Sequence, residues 1–310
     1  MQVSTRFQNG TGTDRILVLV ASHFLELFLI TLGAAIVNGA LGYGFSSITV
    51  PLALQFLTNR VLNPALVLIE VALNAWVLWV NRQAFGAVWR RVLPIVIGLV
   101  PGVIVGTLIV SRLSPDWLKL ITYFTLLPLI LFQAAGFRRP IQSEKSAGLV
   151  FGGGLGVLYS VTTISGPPLA VALNNQGLAK QEFRAALGTI RLAESSMTAV
   201  AYWSAGLLTA ESMALIPQIL PGVAIGVPIG TFLIRHVRVE TFRRICMSFD
   251  AWIVAFGIST VLRSLLIIES YAAYLIMGGV GLIDACMLYR FFSSAAYRMP
   301  SKSEHVSPQI

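Results

Sequence analysis

The sequence predicts an all-α polytopic membrane protein built from two inverted repeats. Three observations carry this prediction: little charge, a pair of broken apolar segments, and opposite charge in equivalent loops. Of the 310 residues, 56% are hydrophobic and only 11% are charged, with a mean hydropathy of +0.79. A soluble domain carries about 25% charged residues. Several windows of about 18 residues hold almost no charge, which is typical of transmembrane helices.

Two polar, glycine-rich stretches interrupt these apolar windows, one in each half of the chain. The first runs from Gly39 to Pro51 and the second from Gly152 to Pro168. Gly39 aligns with Gly156, and Pro51 with Pro168, at an offset of 117 residues. Broken, hydroxyl-rich segments in corresponding positions of two halves are the best indication of a transporter binding site that a sequence offers.

Six consecutive parts follow from these patterns. They are a disordered tail at 1–14, a first transmembrane repeat at 15–136, a cytoplasmic linker at 137–146, a second repeat at 147–263, an extra C-terminal transmembrane helix at 264–297 and a disordered tail at 298–310. Each repeat holds a broken helix pair and three further helices, which predicts about 8–10 membrane segments. The segments 45–57 and 165–175 are short for a bilayer core of about 30 Å, and whether they cross it or turn back is left open.

Loop charges predict that the repeats are inverted. The loop 81–91 carries three arginines, whereas its equivalent, 204–212, carries only Glu211. The loop 235–244 carries four arginines against one glutamate, whereas its equivalent, 111–119, has one arginine and one lysine against an aspartate. Because basic loops stay in the cytoplasm, this pattern predicts a cytoplasmic C-terminus. The expected location is the inner membrane of a bacterium.

Two runs of spaced glycines repeat along the chain. Glycines recur every fourth residue over 98–106 and over 222–230, at an offset of 124, and Glu70 and Glu194 repeat at the same offset. Small residues at this spacing let membrane helices approach closely. We therefore interpret both runs as packing surfaces.

Four motifs in order form a family signature. They are Gly39-x2-Gly42-x-Gly44 running to Pro51, the stretch 152–168, Gln176-Gly177-Leu178-x3-Glu182-Phe183-Arg184, and Gly226-x3-Gly230-Thr231. Over about residues 28–263 the chain resembles the sulfite exporter TauE/SafE family of membrane transporters. Tyr43 and Phe45 depart from this pattern, since small residues are common there. The resemblance implies transport of sulfite, sulfoacetate, other sulfonates or related organic anions.

Candidate substrate-binding residues follow from what a buried anion requires. An unpaired buried ion is very costly, so the site must offer hydrogen-bond donors or positive charge. Broken helices supply free backbone N–H groups and the positive ends of half-helix dipoles. The side-chain candidates are Asn38, Tyr43, Ser46, Ser47, Thr49, Thr162, Thr163, Ser165, Asn174 and Arg191. The alternative for each hydroxyl is a hydrogen bond to its own helix.

Charged residues inside the predicted helices are the sharpest candidates. Arg191 lies within a predicted helix at 184–204, where a cation is costly and usually functional. It either binds the anion or forms a structural ion pair with Glu194, three residues further on. Glu70 and Glu194 are candidate ion-coupling residues, because an intramembrane carboxylate can carry a proton. The alternative is a structural role for both.

The predicted function is a secondary transporter, a permease. It moves a small anion, foremost an organosulfonate, sulfite or related sulfur-containing anion, across the cell membrane by alternating access coupled to an ion gradient. A passive anion channel and a non-transporting membrane assembly factor stay open as alternatives. The expected partners are an anion with a sulfonate, sulfite or carboxylate-like group, a coupling proton or Na⁺, and the lipid bilayer. Nucleic acid is not expected, and a homodimer is left open.

Enzyme chemistry is not predicted. No cluster of His, Cys and Asp residues has metal-ligand spacing, and no phosphate-binding loop with its lysine is present. The sequence therefore predicts neither a cofactor nor a metal site. Asp250 and Asp284 lie in the last two predicted helices, away from the repeated motifs, and we expect structural or peripheral roles for both.

Overall fold

The structure is a computed structural model that describes residues 24–134, 145–174, 178–233, 239–268 and 270–293. These residues form eleven α-helices and no β-strand, which confirms the all-α prediction. The helices are α1 (Phe24–Leu41), α2 (Phe45–Ala53), α3 (Asn59–Val80), α4 (Phe85–Arg112), α5 (Pro115–Ala134), α6 (Lys145–Thr162), α7 (Gly166–Asn174), α8 (Lys180–Ser204), α9 (Ala210–Leu233), α10 (Val239–Ser264) and α11 (Leu275–Ser293). Short 3₁₀ turns, Arg82–Ala84 and Tyr271–Tyr274, precede α4 and α11.

Both predicted breaks are present, at α1–α2 and at α6–α7. The predicted tails at 1–14 and 298–310 and nearly all of the linker 137–146 lie outside the described residues. The division of the chain into repeats stays a prediction.

Helix length and composition indicate a membrane protein. Among the described residues, four helical segments are long and apolar enough to cross a bilayer: Asn59–Val80, Arg82–Arg112, Ala210–Leu233 and Tyr271–Ser293. Large apolar side chains face outward, such as Val150 (78% exposed) and Leu282 (72% exposed). The helices α2 and α7 have nine residues each, about 14 Å at 1.5 Å per residue, so neither spans an apolar core of about 30 Å alone. The count of 8–10 membrane segments stays a prediction.

The glycine run of α4 packs against the glycines of α6. A β-carbon at Gly102 would overlap the carbonyl oxygen of Gly153, and one at Gly152 would overlap the carbonyl oxygen of Ile95. The two backbones are therefore in direct contact, as small residues at this spacing permit. The contact agrees with our interpretation of residues 98–106 as a packing surface.

The glycine run of α9 packs against α1 in the same way. A β-carbon at Gly230 would overlap the carbonyl oxygen of Ile36, and one at Gly39 would overlap that of Val227. The packing is thus reciprocal between the first half of the chain (α1–α5) and the second (α6–α10). The fourth helix of each half lies along the first helix of the other, while α3 and α8 pack against each other.

The last helix, α11, packs mainly on α10. Its buried Asp284 accepts hydrogen bonds from Arg244 at 3.0 Å, from Ser248 at 3.0 Å and from the Trp252 indole at 3.3 Å. A buried carboxylate needs such partners to offset its lost hydration. In this structure Asp284 joins α11 to α10, which is the kind of role expected for it. Asp250 of α10 is also buried, and its Oδ1 atom has no hydrogen-bond partner among the residues that the structure describes.

Candidate functional site

The first break is made by residues whose backbone leaves the helical region. Gly42 has a φ of +83° and Gly44 a φ of +106°, values that residues with a β-carbon rarely adopt. The Gly42 amide donates to the carbonyl of Asn38 at 2.7 Å, which closes α1. The chain restarts as α2 at Phe45, and the first residues of α2 are buried. The unpaired amides of a helix N-terminus therefore lie inside the protein.

Hydrogen-bond donors to the last carbonyls of α6 stabilise the second break. A helix leaves its final four carbonyls without intrahelical partners, which is costly away from water. Here the backbone turns at Thr163, whose φ is +57°, and every one of the four carbonyls accepts a hydrogen bond. The donors are the Thr163 amide to Tyr159 (2.6 Å), the Tyr202 hydroxyl to Ser160, the Asn63 side-chain amide to Val161 (2.8 Å) and the Thr163 hydroxyl to Thr162 (2.7 Å).

The two candidate threonines of this break bond to the main chain. The Thr162 hydroxyl donates to the Leu158 carbonyl at 2.7 Å and accepts from the Ile164 amide at 3.0 Å. The Thr163 hydroxyl donates to its neighbour's carbonyl. Both side chains are thus engaged in shaping the break, which is the alternative that the sequence left open for each hydroxyl.

The two breaks meet in the centre of the protein. A β-carbon at Gly166 would lie 3.3 Å from that of Tyr43. Tyr43 packs into a cluster of apolar residues from α7 and α8, such as Leu169. In return, Ile164 packs into a cluster that contains Phe45 of α2. Each break therefore inserts one side chain into the opposite half.

Glu70 of α3 is the centre of a buried polar cluster. Its Oε1 atom accepts from the Ser46 hydroxyl at 2.6 Å and from Nη2 of Arg191 at 2.8 Å, and its Oε2 atom accepts from the Tyr159 hydroxyl at 2.7 Å. Its side chain is 1% exposed, and that of Arg191 is 5% exposed. One carboxylate thus connects α2, α3, α6 and α8. Hydrogen bonds to a charged group are the stronger class, so this cluster holds the two breaks together.

Arg191 pairs with Glu70 and not with Glu194. Glu194, one turn further along α8, accepts a hydrogen bond from the Ser165 hydroxyl through Oε2. The structural pair considered from the sequence alone, Arg191 with Glu194, is therefore not the pair that the structure forms. The Arg191 carbonyl also accepts from the Asn74 side-chain amide at 3.3 Å.

Several buried polar atoms of this cluster have no hydrogen-bond partner among the described residues. They are Nε of Arg191, Oε1 of Glu194 and, one helical turn beyond Ser46, Oγ1 of Thr49. Most buried polar groups in proteins are hydrogen-bonded, and each exception needs an explanation such as a functional role. The three atoms include a cationic donor, a hydroxyl and a carboxylate oxygen, so the cluster has unused capacity for both an anion and a proton.

The structure brings together five of the twelve predicted site residues. Ser46, Ser165, Arg191, Glu70 and Glu194 take part directly in the polar cluster. Ser47 follows Ser46 in the sequence and is also buried. Asn174 is the last residue of α7, and its side chain lies outside the described part of the structure.

Asn38 lies instead at a cavity beside the cluster. This cavity has a volume of about 240 Å³, and we call it the lateral cavity. Its walls come from α1, α3, α8 and α9: Asn38, Gly39, Gly42, Leu73, Trp76, Val77, Val80, Asn81, Arg184, Leu187, Val227 and Thr231. Leu187 lies one helical turn before Arg191, about 6 Å along α8, so the cavity and the polar cluster share this helix.

Sequence reasoning missed Tyr159, which donates directly to Glu70, and Asn63 and Tyr202, which cap α6. Tyr159 stands inside the second broken stretch, so its polar tip in an apolar segment was an available signal. Asn63 and Tyr202 lie 98 and 42 residues from the carbonyls to which they donate. No local pattern links such distant positions. Within the described ranges, no group of three His, Cys, Asp or Glu side chains could hold a metal ion.

Several membrane-length helices and a buried ion pair beside two interrupted helices are typical of membrane permeases. The family comparison agrees with this class. The model of the sulfite exporter TauE/SafE family matches residues 27–258, most of the chain, and the chain belongs to this family. Comparison with curated proteins and with solved structures produced no match.

Proposed function

We propose that the protein is a secondary transporter that moves a small anion across the inner membrane of a bacterium. The anion is an organosulfonate, sulfite or a related sulfur-containing anion, and movement is coupled to an ion gradient. The observation that carries the proposal is the Arg191–Glu70 pair, 2.8 Å long and buried where the two broken helices meet. Family membership supports transport, and the buried cation supports an anionic substrate.

The anion is proposed to bind at Arg191, in exchange for Glu70. Nε of Arg191 is unused, and a guanidinium matches a sulfonate or carboxylate through two parallel hydrogen bonds. When the anion takes this place, Ser46 and Tyr159, which now donate to Glu70, become available as further donors. Both hydroxyls belong to the broken segments, so binding would act on both breaks together.

Charge balance favours a proton as the coupling ion. Two carboxylates, Glu70 and Glu194, and one guanidinium, Arg191, have a formal charge of −1 when all are ionised. Binding of an anion would make the net charge of this buried site −2 or more negative, which is very costly. Uptake of a proton by one carboxylate offsets the added charge. Glu194 is our candidate for that proton, since its Oε1 has no partner within the described structure.

Alternating access is proposed to come from movement of one repeat against the other. The reciprocal packing of α4 on α6 and of α9 on α1 supports two related halves, as in many transporters with inverted repeats. The lateral cavity is lined by Leu187, one helical turn of α8 before Arg191. At the position equivalent to exposed Thr231, with an offset of 124, Thr107 is buried. This difference supports a state that is open toward one side. We place the C-terminus in the cytoplasm.

The test is transport by the purified full-length chain in proteoliposomes. Uptake of sulfite, methanesulfonate and sulfoacetate is measured with the external buffer either acidic or equal in pH to the interior. We expect saturable uptake of at least one anion, faster with an acidic exterior, and loss of uptake in the Glu70→Gln/Arg191→Gln double variant. Absence of flux for all three anions overturns the anion proposal. Flux that never saturates and ignores the pH gradient indicates a passive channel instead.

A further inference from the structure

The lateral cavity contains a cation that the central site does not use. Arg184 of α8 lies seven residues before Arg191, about 10 Å along the helix, and lines the cavity. Within the described part of the chain, its guanidinium forms no hydrogen bond or ion pair. An arginine beside a cavity with all its donors unused is available to bind an anion.

Comparison with Arg60 shows that this availability is specific to Arg184. The two arginines occupy equivalent positions in the predicted repeat, at the offset of 124. The Arg60 guanidinium donates to three carbonyls at the end of α4, those of Val110 at 3.1 Å, Ser111 at 2.9 Å and Leu113 at 2.8 Å. Arg60 is therefore a helix cap, whereas Arg184 faces a cavity.

The remaining walls of the cavity indicate the kind of anion. Apart from Arg184, the lining is mostly apolar, with Leu73, Trp76, Val77, Leu187 and Val227 among its residues. A small dianion keeps its water shell unless several donors replace it, and apolar walls cannot do so. A monoanion with a carbon chain fits both features, because its charged end meets Arg184 and its chain covers apolar side chains.

We propose that the lateral cavity is a second anion-binding site, separate from Arg191. It binds organic monoanions with an apolar chain, with Arg184 holding the charged group and Trp76 and its neighbours contacting the chain. As a waiting position for transported anions the site rests on the proposed function. As a binding site it stands on the cavity alone.

The experiment measures binding of methane-, butane- and hexanesulfonate, and of sulfite, to the purified full-length protein by isothermal titration calorimetry. For the wild type we expect the dissociation constant to fall by about fourfold for each buried methylene. The Arg184→Gln variant should raise the dissociation constant of each alkanesulfonate at least tenfold. Arg184→Lys, which keeps the charge, should raise it much less. The matched control is Arg82→Gln, which removes an exposed cation that stacks on Trp79 at 4.6 Å and should leave binding unchanged.

Two further measurements separate failure of this site from failure of the transport proposal. The Glu70→Gln/Arg191→Gln variant should lose transport but keep the chain-length series. If the wild type transports no anion yet shows the series, the transport proposal fails and the second site stands. If the wild type transports anions but Arg184→Gln binds and transports like the wild type, the second site is overturned.

A lipid headgroup presents the same chemistry, a monoanionic group on an apolar chain. Butanesulfonate binding is therefore repeated in nanodiscs of phosphatidylcholine and of phosphatidylcholine with phosphatidylglycerol. Equal binding in both assigns the site to a free anion. Weaker butanesulfonate binding with phosphatidylglycerol, together with no such lipid dependence in Arg184→Gln, assigns the site to the lipid headgroup. A site that binds sulfite as tightly as hexanesulfonate contradicts the proposed chemistry.

Discussion

Glu70 and Glu194 occupy equivalent positions in the two halves of the chain, yet their surroundings differ. Glu70 accepts hydrogen bonds from two hydroxyls and a guanidinium. Glu194 accepts from one serine, and its other oxygen has no partner among the described residues. Both carboxylate oxygens thus accept hydrogen bonds in one half, whereas only one of them does so in the other. Two equivalent positions of a repeated sequence therefore need not have the same role.

The cause of the difference is a single arginine. The position equivalent to Arg191 in the first half is Val67, so the cluster has one guanidinium for two acidic residues. It reaches across from α8 to Glu70 on α3. The pair therefore joins the two halves, and Glu194, which is not part of the pair, is the acid that we propose as the proton carrier.

The largest expected effect comes from removing the shared cation. We expect Arg191→Gln to lower the free energy of unfolding by about 3–5 kcal/mol, because Glu70 is then a buried charge without a counter-ion. The measurement is unfolding by sodium dodecyl sulfate in mixed micelles, followed by circular dichroism. The Glu70→Gln/Arg191→Gln double variant removes both charges and should recover most of the loss. A double variant no more stable than Arg191→Gln alone would contradict a coupled pair.

The second prediction separates the two acids by function. We expect Glu194→Gln to change the free energy of unfolding by about 1 kcal/mol or less, since its amide oxygen still accepts from Ser165. Anion uptake should continue but lose its response to the pH gradient, because the proton-binding group is gone. The assay is the proteoliposome uptake described above. Glu211→Gln, at an exposed glutamate near the start of α9, is the control. A pH response that survives in Glu194→Gln would assign the proton to another group.

The third prediction distinguishes neighbouring serines of the first break. Ser46 donates to Glu70 at 2.6 Å, whereas buried Ser47 has no hydrogen-bond partner among the described residues. We expect Ser46→Ala to cost about 1.5 kcal/mol of unfolding free energy and Ser47→Ala about 0.5 kcal/mol or less. Both are measured by the same micelle unfolding. Equal losses would mean that the hydroxyl of Ser46 contributes nothing specific to the Glu70 cluster.

Local pattern was sufficient to predict the helices and both breaks. The apolar windows, the glycines at 42 and 44, and the glycine runs are signals within one or two turns of helix. The predicted segments 45–57 and 165–175 correspond to α2 and α7, with ends that differ by up to four residues. Helix ends depend on capping and fray by a residue or two, so such differences are expected.

The sequence alone did not show which acid pairs with Arg191. Arg191 has Glu194 one turn away on its own helix, and the sequence left open whether those two pair. The structure selects Glu70, which is 121 residues distant, because α3 and α8 pack against each other. Helix packing likewise brings Tyr159 to Glu70, and Asn63 to the carbonyl of Val161. Which acid meets the cation depends on helix packing, not on spacing along the chain.

By itself, then, the sequence determined that this is a helical membrane protein with two interrupted, hydroxyl-rich segments and charges inside its helices. These properties depend on hydropathy and on backbone preferences, which act between near neighbours in the chain. Only the tertiary structure decided that Glu70 holds Arg191, that Thr162 and Thr163 bond to the main chain, and that Arg184 faces a cavity while Arg60 caps a helix. The physical reason is that a buried polar group takes whichever partner the packing brings within about 3 Å.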